Sequence, residues 1–330
     1  MMRKVYIGVV LMAGIFILNA CNKDTDIFVP DPGQQTGPDS TWYSSITPSM
    51  PVNSLQQSLF LSPNLDSIEV SNGPDTINSA AGLQCIFPPY SCVDSNDLPV
   101  TGTVYIESYL LKNRGSFISM GLPTISNGNL LVSGGAFFIQ LQQNNTALHL
   151  AANTRLSISY SDTAISQQME LFDGSFTNTT NGQFNWAPDT SSSNRVFAYN
   201  GGYEITSNNL NWINCDHFYG DTTNNNKTSL SITLPSNLTN ANTLAYIVFN
   251  NMRSVMPMNG DAASKEFTAN KIPAGLNVTI ITISQDGNFY YLGQQAVVTT
   301  LPVGGNAIPS ISITPARVSL NDIITFLNSL

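Results

Sequence analysis

Short runs in which apolar and polar residues alternate recur along most of the chain. Thr103–Ser108, Leu156–Tyr160 and Leu230–Leu234 each show the period of two that is typical of a half-buried strand. Two further runs, Ala245–Phe249 and Val278–Ile283, are almost continuously apolar and rich in β-branched residues, as core strands are. The pattern therefore predicts a chain built from many short strands.

Turn-forming pairs separate these runs. They are Asn127-Gly128, Gly134-Gly135, Asn181-Gly182, Asp286-Gly287 and Gly304-Gly305. Strands of this length with turns at this spacing predict an all-β fold of two β-sandwich domains. We place the first sandwich at residues 58–163 and the second, immunoglobulin-like in its strand spacing, at residues 164–316.

One convincing helix pattern lies at the end of the chain, in residues 317–330. Ser319 is suited to cap the helix, and Asp322 follows three residues later as in a capping box. The apolar side chains that share one face are Ile323, Phe326, Leu327 and Leu330. We expect this helix to pack on the second sandwich.

The first 21 residues combine a basic start, Arg3 and Lys4, with the apolar run Val5–Leu18 and then Asn19-Ala20-Cys21. The run is too short to cross a bilayer as a helix. This order resembles a bacterial lipoprotein signal peptide, residues 1–20, cut just before Cys21. The resemblance implies acyl chains on Cys21, which would anchor the protein to the outer membrane, at the cell surface or otherwise in the periplasmic leaflet. Residues 21–57 are rich in Pro and polar residues and predict a flexible tether, in which Trp42 and Tyr43 could pack back onto the first sandwich.

Residues 82–160 resemble the ZU5-like domain of Gram-negative surface lipoproteins. Ile86–Asp94 takes the place of the family's "IPANAFVD", Leu98–Val104 matches "PVTGTV", Ser119–Thr124 matches "SGIPM" and Ser133–Ile139 matches "SAGMFEI". The resemblance implies a β-sandwich used for association or ligand display, without catalytic residues.

The family pattern also assigns tight turns or positive φ angles to Gly102 and Gly121. The chain departs from that pattern at Cys92, where the family has an aromatic residue, and at Leu111–Arg114, where it has acidic ones.

Composition excludes one class of partner. The formal net charge is −9, and only 10% of residues are charged, against about 25% in an average soluble domain. No basic cluster is present to meet phosphates, so we expect no nucleic-acid partner.

The cysteines other than Cys21 leave two interpretations open. Cys85 and Cys92 flank a short loop, and an exported protein meets an oxidising compartment, so a disulfide between them is one prediction. Two buried free thiols are the alternative. Cys215, with no evident partner, is interpreted as a small core residue.

Catalytic and metal-binding patterns are weak. The chain has two histidines, far apart, and neither an H-E-x-x-H nor a G-x-S-x-G motif, so we predict no enzymatic activity, no metal site and no cofactor. Calcium is the alternative, because Asp94–Asp97 and Asp221–Asn226 supply several side-chain oxygens in loops. Both segments are also ordinary Asx-rich turn sequences.

Four aromatic residues are the candidates for a ligand-facing platform: Trp186, Tyr199, Tyr203 and Trp212. Filling of the core is the other role open to them. The leading hypothesis is a membrane-anchored, non-enzymatic protein that binds or adheres to a protein or glycan. A carbohydrate-binding lipoprotein of a glycan-uptake system is the alternative, and an envelope hydrolase, which paired carboxylates in the fold would reveal, is the third.

Overall fold

The computed structural model describes residues 40–176, 183–220, 226–302 and 309–330. The described residues form three helices: α1 (Pro51–Ser58), α2 (Arg114–Met120) and α3 (Leu320–Asn328). The first fifteen strands are β1 (Asn64–Val70), β2 (Asp75–Asn78), β3 (Leu83–Phe87), β4 (Cys92–Val93), β5 (Gly102–Leu111), β6 (Ile125–Ser126), β7 (Asn129–Gln143), β8 (Thr146–Ala147), β9 (His149–Leu150), β10 (Leu156–Ser161), β11 (Glu170–Phe176), β12 (Phe184–Pro188), β13 (Arg195–Tyr199), β14 (Gly202–Ser207) and β15 (Asn211–Phe218). The remaining strands are β16 (Lys227–Thr233), β17 (Thr243–Phe249), β18 (Ser254–Pro257), β19 (Asn259–Asp261), β20 (Glu266–Pro273), β21 (Asn277–Asp286), β22 (Phe289–Val298), β23 (Ile311–Ser312) and β24 (Ala316–Val318). The fold is all-β with a C-terminal helix, as the sequence predicts.

The first sandwich is formed by two sheets. One has the order β1-β5-β7-β15-β11-β12, with β6 and β8 also pairing with β7, and the other has the order β13-β14-β10-β3-β2. Their facing sides bury the first core, which includes Val104, Phe137, Ile158 and Tyr203. The two-residue strands β4 and β9 pair separately.

The strands of the first sandwich extend further along the chain than the sequence predicts. Strand β10 pairs with β14, and β7 pairs with β15 in register from Asn211–Ile139 to Phe218–Leu131. Both sheets therefore cross the boundary placed at residue 163; one continues to Ser207 and the other to Phe218. Turn spacing along the chain could not show this, because the pairing depends on contacts between segments about 80 residues apart.

The second sandwich contains the later strands. One sheet has the order β19-β20-β16-β23, in which β16 and β23 are parallel, and the other has the order β18-β17-β21-β22-β24. The core between them includes Ile232, Ile247, Phe267 and Ile280. The two nearly continuous apolar runs lie in β17 and β21, as expected for core strands.

A third apolar layer joins the two sandwiches. The outer face of the first sheet contributes Phe172 and Trp186, and the outer face of the β18–β24 sheet contributes Val248 and Ile281. The three helices, with the residues that directly follow α1 and α2, fill the space between these faces with the side chains Leu55, Leu59, Phe117, Ile118, Leu122, Ile323 and Leu327. We call this the shared layer; it makes Ser40–Leu330 a single compact unit.

Helix α3 has the predicted cap. The Ser319 hydroxyl accepts a hydrogen bond from the Asp322 N–H (3.1 Å), and the Asp322 carboxylate accepts one from the Ser319 N–H (2.9 Å). Ile323 and Leu327 are buried in the shared layer. The helix therefore packs on the first sandwich's helix α2, and its buried side chains share the layer with apolar residues of the second sandwich.

The end of the predicted tether is folded, which corrects the prediction for residues 40–57. Pro51 occupies the first turn of α1, where a missing N–H costs nothing, and Leu55 of that helix is fully buried. The ring of Trp42 lies tilted against that of Phe267, with 5.1 Å between centroids, and the main chain of Tyr43 bonds with the Asn240 side chain, so both residues contact the second sandwich and not the first. Residues 21–39 of the tether, the signal segment and Cys21 lie outside the described residues.

One predicted turn is also wrong. Gly134-Gly135 lies inside the 15-residue strand β7. A Cβ on Gly134 would lie 3.0 Å from the carbonyl oxygen of Cys215, and one on Gly135 would lie 3.2 Å from the ring of Tyr160. The pair permits close packing across the sheet beside the bulge between Cys215 and Asp216. Asn127-Gly128 and Asp286-Gly287 do form turns, whereas Asn181-Gly182 and Gly304-Gly305 lie outside the described residues.

Helices α2 and α3 approach so closely that the shared layer depends on one glycine. A Cβ on Gly115 would overlap the backbone carbonyl of Leu327. We expect Gly115→Ala to lower the free energy of unfolding by about 3 kcal/mol, since backbone cannot give way as a flexible side chain can. Urea unfolding of the purified protein measures the loss. The control is Gly73→Ala, whose Cβ would meet nothing within 4 Å; equal losses in both variants would contradict the tight contact.

Candidate functional site

A groove opens where the two sandwiches meet. It has two adjoining volumes of about 610 and 460 Å³, and both are within the range of about 300–1,000 Å³ typical of small-molecule sites. The residues that border both volumes are Gly121, Phe176, Gln183, Tyr246, Pro257 and Asn259. The two volumes are therefore neighbouring parts of one cleft, which we call the inter-sandwich groove.

The β11–β12 hairpin forms one wall. Phe176 is 65% exposed at the groove, and its ring meets Phe184 edge-to-face at 5.2 Å between centroids. Phe184 in turn meets the buried ring of Trp186 at 4.8 Å. Gly174 allows these rings to pack against the strand, because a Cβ there would collide with Phe184 and Trp186. The exposed ring is thus held by a row of buried ones.

Helix α1 and strand β17 form the floor. The hydroxyl of Tyr246 donates a hydrogen bond to Gln56 Oε1 (3.2 Å), while Gln56 Nε2 donates to the carbonyls of Ile118 (3.1 Å) and Ser119 (2.7 Å). Burial raises the pKa of Tyr246 far above its ordinary value, so the floor stays uncharged. Gly121, with φ +67°, ends α2 at this point and makes room for Gln56.

Side-chain amides surround the opening. Those of Asn127, Gln183, Asn259 and Asn270 are exposed and form no hydrogen bond with the described part of the chain. Asn185 is occupied: its oxygen accepts from the Asn127 N–H at 2.8 Å. Each free amide offers both donors and an acceptor to a ligand.

Charge is nearly absent from the groove. Among the described residues that line it, Lys271 alone carries a charge, and no carboxylate borders either volume. This neutrality contrasts with the net charge of −9 on the whole chain. The groove offers amide and aromatic contacts, with no carboxylate, imidazole or thiol among its described residues for general acid–base chemistry.

The four predicted aromatic residues do not form a platform. Trp186 and Tyr203 are fully buried, in different cores. The indole N–H of Trp186 donates to the carbonyl of Pro123 (2.8 Å), and the Tyr203 hydroxyl accepts from the Ser166 N–H (2.8 Å). The prediction that these two side chains face a ligand is therefore wrong, because each fills a core and satisfies its polar atom inside.

Trp212 and Tyr199 lie on different sheets. Trp212 is partly buried, stacks on Tyr109 at 5.9 Å, and borders a hollow of about 430 Å³ beside Asp173. Burial raises the pKa of Asp173, whose oxygen accepts from Asn209 at 2.7 Å. Tyr199 is 44% exposed on the edge strand β13. The structure brings neither residue to the inter-sandwich groove.

The cysteine prediction is corrected in favour of its alternative. Cys85, Cys92 and Cys215 are all free and buried in the first core. Cys85 lies on β3 opposite Ile158, whereas Cys92 lies on β4 opposite Leu150. Burial raises the pKa of each of the three thiols, so all three stay protonated and unreactive.

The first candidate calcium loop is a turn. Asp94 Oδ1 accepts hydrogen bonds from the N–H groups of Asn96 (2.8 Å) and Leu98 (3.0 Å), and these bonds lower the pKa of the Asp94 carboxyl. Asp221–Asn225 of the second loop lies outside the described residues. Within the described ranges, no three His, Cys, Asp or Glu side chains cluster as a metal site.

A buried polar chain crosses the contact between the sandwiches. Arg253 Nη1 and Nη2 bind Asp162 at 2.6 and 3.1 Å, and Nη1 also donates to the Ser133 carbonyl at 3.4 Å. The Ser133 hydroxyl donates to Asn214 Oδ1 (3.0 Å), and Asn214 Nδ2 donates to Asp216 Oδ2 (2.6 Å). Burial of Asp162 opposes its ionisation, but the bonds from Arg253 and the Ala164 N–H outweigh burial and lower its pKa.

Asp216, at the end of this polar network, is fully buried, and its Oδ1 has no hydrogen-bond partner among the described residues. Burial raises the pKa of Asp216 to about 8, although Ser133, Arg253 and Asn214 act in the opposite direction. The carboxyl is therefore largely protonated at neutral pH.

Asp216 makes stability depend on pH in a direction unusual for an acid. In the unfolded chain this side chain ionises near pH 4, whereas in the folded protein it keeps its proton to about pH 8. The contribution of Asp216 to the free energy of unfolding is thus fully present below about pH 4. It declines by up to about 1.4 kcal/mol per pH unit until about pH 8. We expect Asp216→Asn, a neutral mimic, to gain unfolding free energy over the wild type across this window and to level off above it. Urea unfolding at pH 5, 7 and 9 measures the difference. The exposed Asp97→Asn is the matched control, and parallel profiles for wild type and Asp216→Asn would contradict the assignment.

Sequence reasoning missed the groove residues for a clear reason. Phe176 and Asn270 are nearly 100 residues apart, and exposed amides occur throughout this Asn-rich chain. The only local signal in the sequence was Phe176, an aromatic residue at the end of strand β11.

Comparisons with known proteins identify no relative: no family model, no curated protein and no solved structure matches the chain. Among the helices of the described residues, none is long and apolar enough to cross a membrane. The ZU5-like resemblance and the lipoprotein signal remain predictions from the sequence.

Proposed function

We propose that the protein is a lipid-anchored binding protein of the bacterial envelope that holds its ligand, without chemical conversion, in the inter-sandwich groove. The observation that carries the proposal is the groove itself. It combines an exposed, braced aromatic ring at Phe176 with free amides at Asn127, Gln183, Asn259 and Asn270. A cleft with apolar surface and a few convergent polar groups is the usual form of a ligand site.

The groove favours binding over catalysis. General acid–base or nucleophilic catalysis needs a titratable group near the reacting atoms. In the described lining, the only such groups are Lys271, Tyr43 and Tyr246, and burial raises the pKa of Tyr246. The buried thiols and Asp216 lie away from the groove lining.

The anchor rests on the signal-like order of residues 1–21. Acylated Cys21 would hold the protein at the outer membrane, at the cell surface or otherwise at the periplasmic leaflet. Two or more acyl chains suffice for stable attachment, since each buried methylene contributes about 0.8 kcal/mol.

Removal of the acylated thiol tests the anchor. We expect Cys21→Ser to move the protein from the membrane fraction to the soluble fraction, because the hydroxyl cannot form the thioether. Fractionation and immunoblotting of cells expressing each form measure the shift, with Cys92→Ser as the matched control. Retention of Cys21→Ser in the membrane fraction would contradict lipid anchoring.

Filling of the groove tests the binding site. Asn259 borders both volumes, so Asn259→Trp should block them while leaving the cores intact. We expect at least one of four ligand classes (neutral oligosaccharides, acidic oligosaccharides, short peptides, fatty acids) to raise the Tm of the wild type by roughly 5–10 °C at a hundredfold excess over Kd. The variant should lose that increase.

Asn72→Trp, at an exposed site that lines neither volume, is the control and should respond as the wild type does. The absence of any increase in the wild type, or an equal increase in Asn259→Trp, would contradict the groove as the binding site.

A further inference from the structure

We propose that the inter-sandwich groove is a site for an uncharged oligosaccharide. This inference rests on the proposed binding function and adds the chemical class of the ligand. It is carried by three independent properties of the described lining: free amides, exposed phenylalanine rings and a near absence of charge, with Lys271 the one charged side chain.

The amides match hydroxyl groups. A sugar hydroxyl both donates and accepts hydrogen bonds, and a side-chain amide does the same through its NH₂ group and its carbonyl oxygen. The free amides come from both sides of the groove: Asn127 and Gln183 from the first sandwich, and Asn259 and Asn270 from the second. A ligand between them can therefore bond to both walls.

Two phenylalanine rings supply the apolar contact. Phe176 is 65% exposed and Phe60 is 49% exposed, and both border the 460 Å³ volume. Pyranose rings present a face of C–H groups that packs flat on an aromatic ring. Because Phe176 is held edge-to-face by Phe184, little conformational freedom is lost when a sugar stacks on it.

The charge and polarity of the lining bear on the other ligand classes. An anionic chain would need cations, and Lys271 is the only one in the described lining. The acyl chain of a fatty acid would displace water from the amides without replacing its hydrogen bonds. This would lower the binding free energy by about 1–3 kcal/mol for each buried polar group. A peptide would pair its main chain with a free strand edge, and β12, β18 and β19 are edge strands that border the groove, so the peptide is the main competing ligand class. The isolated amides fit scattered hydroxyls better.

Titration of the detergent-purified full-length protein with defined oligosaccharides tests the class. The neutral probes are hexasaccharides of glucose, mannose, galactose and xylose in β- or α-linked chains; the contrasts are hexagalacturonate, an uncharged hexapeptide and dodecanoate. We expect at least one neutral hexasaccharide to bind, with a Kd that changes less than twofold between about 0.05 and 0.5 M NaCl, since no charge is screened.

Groove variants should weaken that binding. We expect Phe176→Ala and Asn270→Ala each to raise the Kd about tenfold, through loss of the ring contact and of a ligand hydrogen bond. Phe197→Ala and Asn72→Ala remove an exposed ring and an exposed amide outside the groove and should leave the Kd unchanged.

The outcomes separate this inference from the binding function. If hexagalacturonate, the peptide or dodecanoate binds in a Phe176-dependent way and no neutral sugar does, the sugar class is overturned and the groove remains a binding site. If a neutral sugar binds equally to Phe176→Ala and Asn270→Ala, the sugar site lies elsewhere and the inference fails. If no probe binds, both proposals fail.

Discussion

The shared layer is the contact on which the rest of this structure depends. Most proteins with two sandwiches join them through a linker and a modest interface, which permits relative motion. Here β17 and β21 are buried on both faces, so that Ile247 faces the core of its own sandwich while Val248 faces the first sandwich's helices. The second sandwich therefore cannot separate without exposing a full apolar layer. Because the two sandwiches form the walls of the groove, the shared layer also fixes the distance between those walls.

Polar contacts set the orientation that the apolar layer alone would leave open. The Arg114 guanidinium donates to the carbonyls of Phe249, Asn250 and Leu330 at 2.9–3.0 Å, and thereby ties α2 to a turn of the second sandwich and to the end of the chain. Thr124 exchanges main-chain and side-chain bonds with Val255, which covers the edge of β18. Buried charges such as Asp162 and Arg253 add little net stability, because desolvation offsets their attraction. Their effect is on specificity, since a shifted interface would leave both charges unpaired.

The sequence predicts those features that depend on neighbouring residues. Alternation along Thr103–Ser108 and the Ser319–Asp322 cap are local signals, and both elements form as predicted. Helix α1 was not predicted because its first turn begins with Pro51 in a segment rich in prolines. Its stability comes from burial of Leu55 against distant strands. The aromatic residues show the same limit. Trp186 and Phe176 lie on the paired strands β12 and β11, but Trp186 is buried in the core and Phe176 is exposed at the groove, and the whole fold decides that difference.

The chemistry of the groove agrees with that of the chain as a whole. With 10% charged residues, the surface relies on amides and hydroxyls for its solubility. On such a surface, exposed amides alone would indicate nothing. The groove differs because its amides share a cleft with Phe176, which borders both volumes, and with Phe60, which borders the 460 Å³ volume, and no carboxylate is found among the described lining residues. The described lining includes Lys271 but no carboxylate, although acidic residues outnumber basic ones by 21 to 12 in the whole chain. This lining, together with the braced ring of Phe176, favours a ligand that is polar and uncharged.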